Sequence, residues 1–118
     1  MTHERRPPEL LGLLGDEETR SILALASGTA VSAKELADRA DLSLRTVYRR
    51  TEALEELGCL ASSTELDEGG NHYRVYETRV SKIEITVDPN DDEVRLELSY
   101  VDQVDRFMDL WEGLSDRR

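Results

Sequence analysis

Arg45 and Arg49 are the residues of this sequence with the most chemistry to offer, in the run Ser43-Leu-Arg-Thr-Val-Tyr-Arg-Arg50. A guanidinium is a planar fork of donors that matches paired acceptors such as a carboxylate, a phosphate or the edge of guanine. With Val47 turned to the core, about 100° per residue puts Arg45 at about 160°, Arg49 at about 200° and Tyr48 at about 100°, so all three face outward. Arg50, at about 300°, lies near the core edge and is better placed to pair with an acid of the scaffold or touch a backbone. The plain alternative is a solvated helix face with charge pairs, because Glu52 and Glu56 follow Arg49 on that side.

Two capped helices are needed to position these side chains. Ser32, with Glu35 three residues on, forms a capping box for a helix through Ala40 that turns Leu36, Ala37 and Ala40 inward. Asp41 and Leu42 make a short break, and Ser43 caps a helix to about Leu57, where Gly58 stops it. Val47, Thr51, Leu54 and Leu57 share its buried face. Two capped helices across so short a turn are the signature of a helix-turn-helix.

Upstream, residues 1–8 carry charge and two prolines without apolar periodicity and read as a flexible arm. Glu9 to Leu14 is a short helix broken by Gly15; Asp16 and Thr19 open a longer one, with Ile22, Leu23 and Ala26 on one face, ending at Ser27 and Gly28. Downstream the period becomes strand-like. Cys59 to Glu65 and His72 to Val80 make a hairpin around the tip LDEGGN, where Gly69, Gly70 and Asn71 permit positive φ. Ile83, Ile85 and Val87 alternate on one arm of a second hairpin and Val94, Leu96 and Leu98 on the other, joined by DPNDD. An isolated hairpin is marginal in water, so its apolar face needs a cover. Val101, Val104, Met108, Trp111 and Leu114, with Phe107 beside them, recur at helical spacing and supply both that cover and surface for a second subunit. The expected fold class is α+β: a winged helix-turn-helix over residues 9–80, with an extra C-terminal β-hairpin and helix over 81–118 as the dimerisation element.

The 118 residues suit one domain; 38% are hydrophobic and 35% charged, enough for a modest core. Asp plus Glu number 26 against 15 basic residues, a net charge of −11, and only Lys34 and Lys82 are lysines. This balance resembles that of proteins from salt-loving archaea, whose acidic surfaces hold water and ions where the Debye length falls to about 3 Å. The charge is segregated along the chain: residues 32–50 carry a net +2 and residues 88–118 a net −6. Cys59 stands alone, which excludes an intrachain disulfide and points to a reducing compartment. Leu10 to Leu14 is far short of the roughly 20 apolar residues of a membrane span, and no signal-peptide pattern precedes it, so a cytoplasmic protein with no membrane partner is expected.

The stretches LLGLLGDEETRSILALAS, SAKELADRADLSLRTVYRRTEALEELGCL and GGNHYRVY resemble the ArsR-type winged helix-turn-helix transcription regulators, most nearly the short haloarchaeal members. The resemblance covers about residues 9–80. It implies a homodimer on double-stranded DNA, with the 43–57 helix in the major groove and the 59–79 hairpin beside the adjacent backbone. Arg45 and Arg49 would then bond guanine. Thr46 and Tyr48 would meet phosphate or a thymine methyl, and Ser43 would bring the helix N-terminus to a phosphate. Arg50 ranks below these, and His72 and Arg74, on one strand face of the wing, would approach phosphate or the minor groove. A repressor occluding a promoter is the default mode.

Metal sensing, common in that family, needs thiolates or clustered ligands; the paired cysteines are missing and the histidines are only His3 and His72. No cofactor is implied, no catalytic signature is present, and the small-molecule effector is unknown. Two other functions compete with DNA reading: a protein-interaction module of the transcription machinery, and a ligand- or redox-responsive regulator using residues 81–118 or Cys59. An open, electropositive face at Arg45 and Arg49 would separate the first of these from a DNA reader.

Overall fold

Among the described residues, three of the four helices begin where a short side chain closes their first turn. The computed structural model describes residues 3–5, 8–90 and 92–101. Helix α1 spans Pro8–Leu14 and starts on the proline, whose missing N–H costs nothing at a first helical position. In α2, Glu17–Leu25, Asp16 is the N-cap and accepts from the Thr19 N–H and hydroxyl. Strand β2, Val31–Ser32, leads directly into α3, Ala33–Ala40, through the capping box of Ser32 and Glu35. Asp41 ends α3 at φ 57°, a left-handed conformation that Asp tolerates better than most residues, and the Leu42 N–H returns to the Ala37 carbonyl at 2.9 Å. Helix α4 follows over Leu44–Glu56, capped by Ser43, and Gly58 at φ 76° reverses the chain behind it.

Strands β3, Leu60–Leu66, and β4, His72–Thr78, form the wing; β2 joins β4, giving a sheet in the order β2-β4-β3. The register pairs Leu60 with Thr78 and Leu66 with His72. Of the turn residues at the wing tip only Gly70 takes positive φ, at 82°. Two residues of β2 are too few to show a period, which is why the sequence pattern conceals them.

These elements enclose one core. Leu10, Ile22, Leu36, Val47, Leu54 and Tyr76 are at most 2% exposed, and with Ala26, Val31 and Val75 they fill the space between helices and wing. Its buried hydroxyls are satisfied: Thr51 donates to the Tyr48 carbonyl at 3.1 Å, and Thr78 donates to the Leu23 carbonyl at 2.7 Å. The Thr78 N–H also bonds the Ala26 carbonyl at 2.9 Å, tying the base of β4 to the end of α2.

A second unit begins at Val80. Strand β5, Val80–Asp88, pairs antiparallel with β6, Glu93–Tyr100, with a bulge between Val80 and Lys82. Strand β1, His3–Arg5, pairs with the other edge of β6, His3 opposite Ser99, so the sheet runs β1-β6-β5. Residues 3–5, expected within a loose arm over residues 1–8, are thus a strand: their extended backbone satisfies its polar groups on the edge of β6, a tertiary pairing that leaves no local period. Pro8 likewise belongs to α1. Leu96 and Leu98 of β6 are buried, whereas Val94 is exposed. Val101 is half-buried; Val104, Phe107, Met108, Trp111 and Leu114, and the expected C-terminal helix, lie outside the described residues.

An ion pair fixes α4 to the start of α2. Arg50 Nε lies 3.1 Å from Asp16 Oδ2, and its Nη2 donates to Glu18 Oε1 at 3.2 Å. Burial raises the Asp16 pKa, but the Thr19 hydroxyl, the Arg50 guanidinium and the backbone N–H groups of Thr19 and Glu18 outweigh it and hold the carboxyl below its ordinary value.

Two predictions follow from this packing. Leu36→Ala should cost about 2–5 kcal/mol in urea denaturation by opening a core cavity, whereas Leu66→Ala, at a side chain 62% exposed, should stay within about 0.5 kcal/mol. Because the Asp16 pKa is lowered on folding, its contribution is complete above the unfolded-state value and is lost as pH falls through the folded one. Asp16→Asn should therefore lower Tm at neutral pH and narrow its gap to the wild type on acidification below about pH 4. Parallel Tm profiles from pH 7 to pH 2.5 would contradict that assignment.

Candidate nucleic-acid interface

The N-terminal half of α4 is built to stand clear of the scaffold. Ser43 accepts the Thr46 N–H at 3.1 Å and donates its own hydroxyl to Thr46 Oγ1 at 3.0 Å. Both hydroxyls are thus engaged in setting the first turn, so Ser43 and Thr46 position the helix end. Val47, Thr51 and Leu54 are buried on the opposite face. That single buried stripe leaves Arg45, Tyr48 and Arg49 exposed together, Tyr48 at 52%. Among the described residues, neither Arg45 nor Arg49 is held in an ion pair, with Glu52, Glu56 or any other acid.

Arg50 behaves differently. Its pairing with Asp16 and Glu18 leaves the side chain 25% exposed, on the scaffold side of the helix. It is a strut between α4 and α2 and does not join the outward arginines.

Leu44 is a residue that the sequence reading passed over. It opens α4 and is 46% exposed beside Arg45, an apolar side chain left in water at the end of the helix that faces outward. Three residues before Val47, the helical angle places Leu44 about 60° from the core direction, yet the side chain is exposed. Its one sequence signal is a leucine at the first position after an N-cap, next to an arginine.

The wing carries the other two site residues. His72 and Arg74 are both exposed and two apart on β4, hence on one face, opposite Leu66 and Thr64 of β3. Arg74 also reaches a cleft of about 360 Å³ between α4 and the wing, with Tyr48, Thr51, Glu52, Glu55, Glu56 and Tyr76. His72 lies nearer the tip, outside that cleft. The tip itself is rigidly made: the Asn71 N–H donates to Asp67 Oδ1 at 2.8 Å, and the Asp67 N–H bonds the Asn71 carbonyl at 2.9 Å. The Asn71 N–H is also the main reason the Asp67 carboxyl stays below its ordinary pKa. On β4, Tyr73 donates to Glu65 Oε2 at 3.2 Å, and this bond raises the phenol pKa.

Charge divides α4 across its length. The first half offers two open guanidiniums; the second half lines the cleft with Glu52, Glu55 and Glu56, of which Glu55 accepts from Ser62 at 3.0 Å. Lys34 and Arg39 on α3 are exposed as well. A polyanion is therefore attracted to the start of α4 and repelled from its end.

Among the described residues, no group of three or more His, Cys, Asp or Glu is placed to hold a metal ion. No helix among them is long and apolar enough to cross a membrane. Cys59 is buried at the base of β3.

No curated protein matches the chain. Residues 19–75, from the first turn of α2 into β4, match the family model described as an HTH domain, and with the geometry of α3, α4 and the wing this supports a helix-turn-helix DNA-binding transcription regulator.

Proposed function

We propose that the protein is a sequence-specific transcription regulator of the ArsR type, a homodimeric repressor that occludes promoters in a salt-rich cytoplasm. The observation that carries this reading is the pair of exposed guanidiniums of Arg45 and Arg49 at the capped start of α4, with no ion-pair partner among the described residues. An open basic face of this kind favours DNA as the ligand over a protein partner, the competing reading of the same fold.

In this reading the start of α4 enters the major groove. Arg45 and Arg49 bond guanine O6 and N7, each good bidentate pair discriminating by about 1–3 kcal/mol. Leu44 and Tyr48, four residues apart on the same side, offer apolar contact to thymine methyl groups. Ser43 and Thr46 set the helix end against a phosphate, and His72 and Arg74 approach the neighbouring backbone from the wing. A two-fold dimer through residues 81–118 presents two such helices roughly 34 Å apart, one turn of DNA, and so reads a palindrome.

Salt should act unusually. A basic protein making 6–10 phosphate contacts loses about 10³–10⁵ in affinity between 50 and 200 mM salt. Here few cations contact DNA, and acids stand close to it at the end of α4, so binding takes up cations as well as releasing them.

Selection of sites from fragmented haloarchaeal DNA at about 2 M KCl, where the Debye length is below about 3 Å, tests the reading. The wild type should enrich a palindromic motif and the Arg45→Ala/Arg49→Ala protein should not. Unchanged selection by the folded double variant would overturn the assignment of these residues. Affinity for the selected site should depend weakly on KCl or rise with it; a steep loss toward molar KCl would sink the cation-uptake account.

A further inference from the structure

Among the described residues, no strand pairs with the outer edge of β5. That edge is long and apolar on one side: Ile85 is 57% exposed although Leu96 opposite it is buried, and Val87 is 73% exposed opposite an exposed Val94. Its ends are blunted by devices that stop strand pairing. The bulge between Val80 and Lys82 closes one end and Pro89 follows the other, leaving Lys82 to Asp88 as the regular free run. The midpoint of that run is Ile85.

We propose that β5 pairs antiparallel with β5 of a second copy of this chain about a two-fold axis through Ile85, joining the two three-stranded sheets into one. The proposal deepens the dimer part of the preceding reading. The register follows from side-chain chemistry. Centred on Ile85, the pairing sets Ile85 against itself, Ile83 against Val87 and Val87 against Ile83, so the apolar face continues across the axis. On the other face Lys82 meets Asp88 twice and Glu84 meets Thr86 twice, so opposite charges are paired and no acid faces an acid. Within their own sheet Lys82 and Asp88 make long ion pairs, 3.7 Å to Glu84 and 3.7 Å from Arg95.

The neighbouring registers fail. Centring on Glu84 sets that carboxylate against itself, and centring on Thr86 sets Glu84 against Asp88 twice, both destabilising. Centring on Ile83 pairs Lys82 with Glu84 but places Ile85 against Ser81 in the bulge and leaves Val87 beyond the paired run. A shift of one residue in the pairing carries the apolar face of one chain onto the polar face of the other.

Full-length protein without DNA tests this by sedimentation and by oxidative cross-linking. The wild type should be a dimer, and Ile85→Lys, which opposes two ammonium groups at the axis, should raise the half-dimerisation concentration by about tenfold or more. Val94→Lys lies on the same face but on β6, and should leave the dimer intact. Ile85→Cys, a mild change, should form a disulfide-linked dimer, while Thr86→Cys, opposite Glu84, should not. A monomeric wild type, a dimer indifferent to Ile85→Lys and uncrosslinked at Ile85→Cys, or equal dissociation by Val94→Lys would overturn the proposal. A β5-linked dimer that selects no DNA would sink only the preceding reading, and a DNA-selecting dimer indifferent to residue 85 only this one.

Discussion

Everything at the candidate interface depends on burying one narrow stripe of α4. Val47, Thr51 and Leu54 lie at spacings of four and three residues and are buried, so the helix has a fixed rotation about its axis. That rotation decides which arginines meet solvent and which meet the scaffold. Arg45 and Arg49 fall outside the stripe; Arg50, one residue on, is swung back to Asp16 and Glu18. The same residue type thus serves two ends within a single turn. The pairing of Arg50 with Asp16 also links the cap of α2 to the rotation of α4, because the carboxylate that accepts from Thr19 is the one that faces the guanidinium.

Electrostatics sharpens this arrangement. In a chain of net charge −11, long-range attraction cannot bring a polyanion to the surface at large. Attraction centres on the open start of α4, the exposed cations of α3 and Arg74 of the wing, and the glutamates along the cleft oppose any ligand that slides toward the end of the helix. Recognition of a polyanion then falls to short-range contacts at that face. Leu44 fits that economy of means, since apolar contact is insensitive to ionic strength in a way that a phosphate contact is not.

Much of this was legible in the residues. The Ser32–Glu35 capping box and the Ser43 cap announce α3 and α4, because capping satisfies backbone donors locally and so leaves a local signature. The wing was legible from the change of period after Gly58. Three features were not. Strand β2 is two residues long, β1 owes its existence to an edge of β6 more than ninety positions away, and Leu44 is exposed at the first turn of α4 despite an angle near the core face. Each depends on what stands beside the segment in space.

The sequence by itself determined the local elements, their caps, the inward stripe of α4 and the outward angle of Arg45 and Arg49, since these follow from periods of 3.6 and 2 and from hydrogen bonds spanning three or four residues. Only the tertiary structure decided that Arg50 is a strut, that Arg45 and Arg49 carry no acidic partner among the described residues, and that residues 3–5 form a strand. It also left the far edge of β5 without a strand partner among the described residues. The physical reason is range: capping and amphipathicity act along the chain within a turn or two, whereas ion pairing, burial and strand pairing act between groups that only folding brings together.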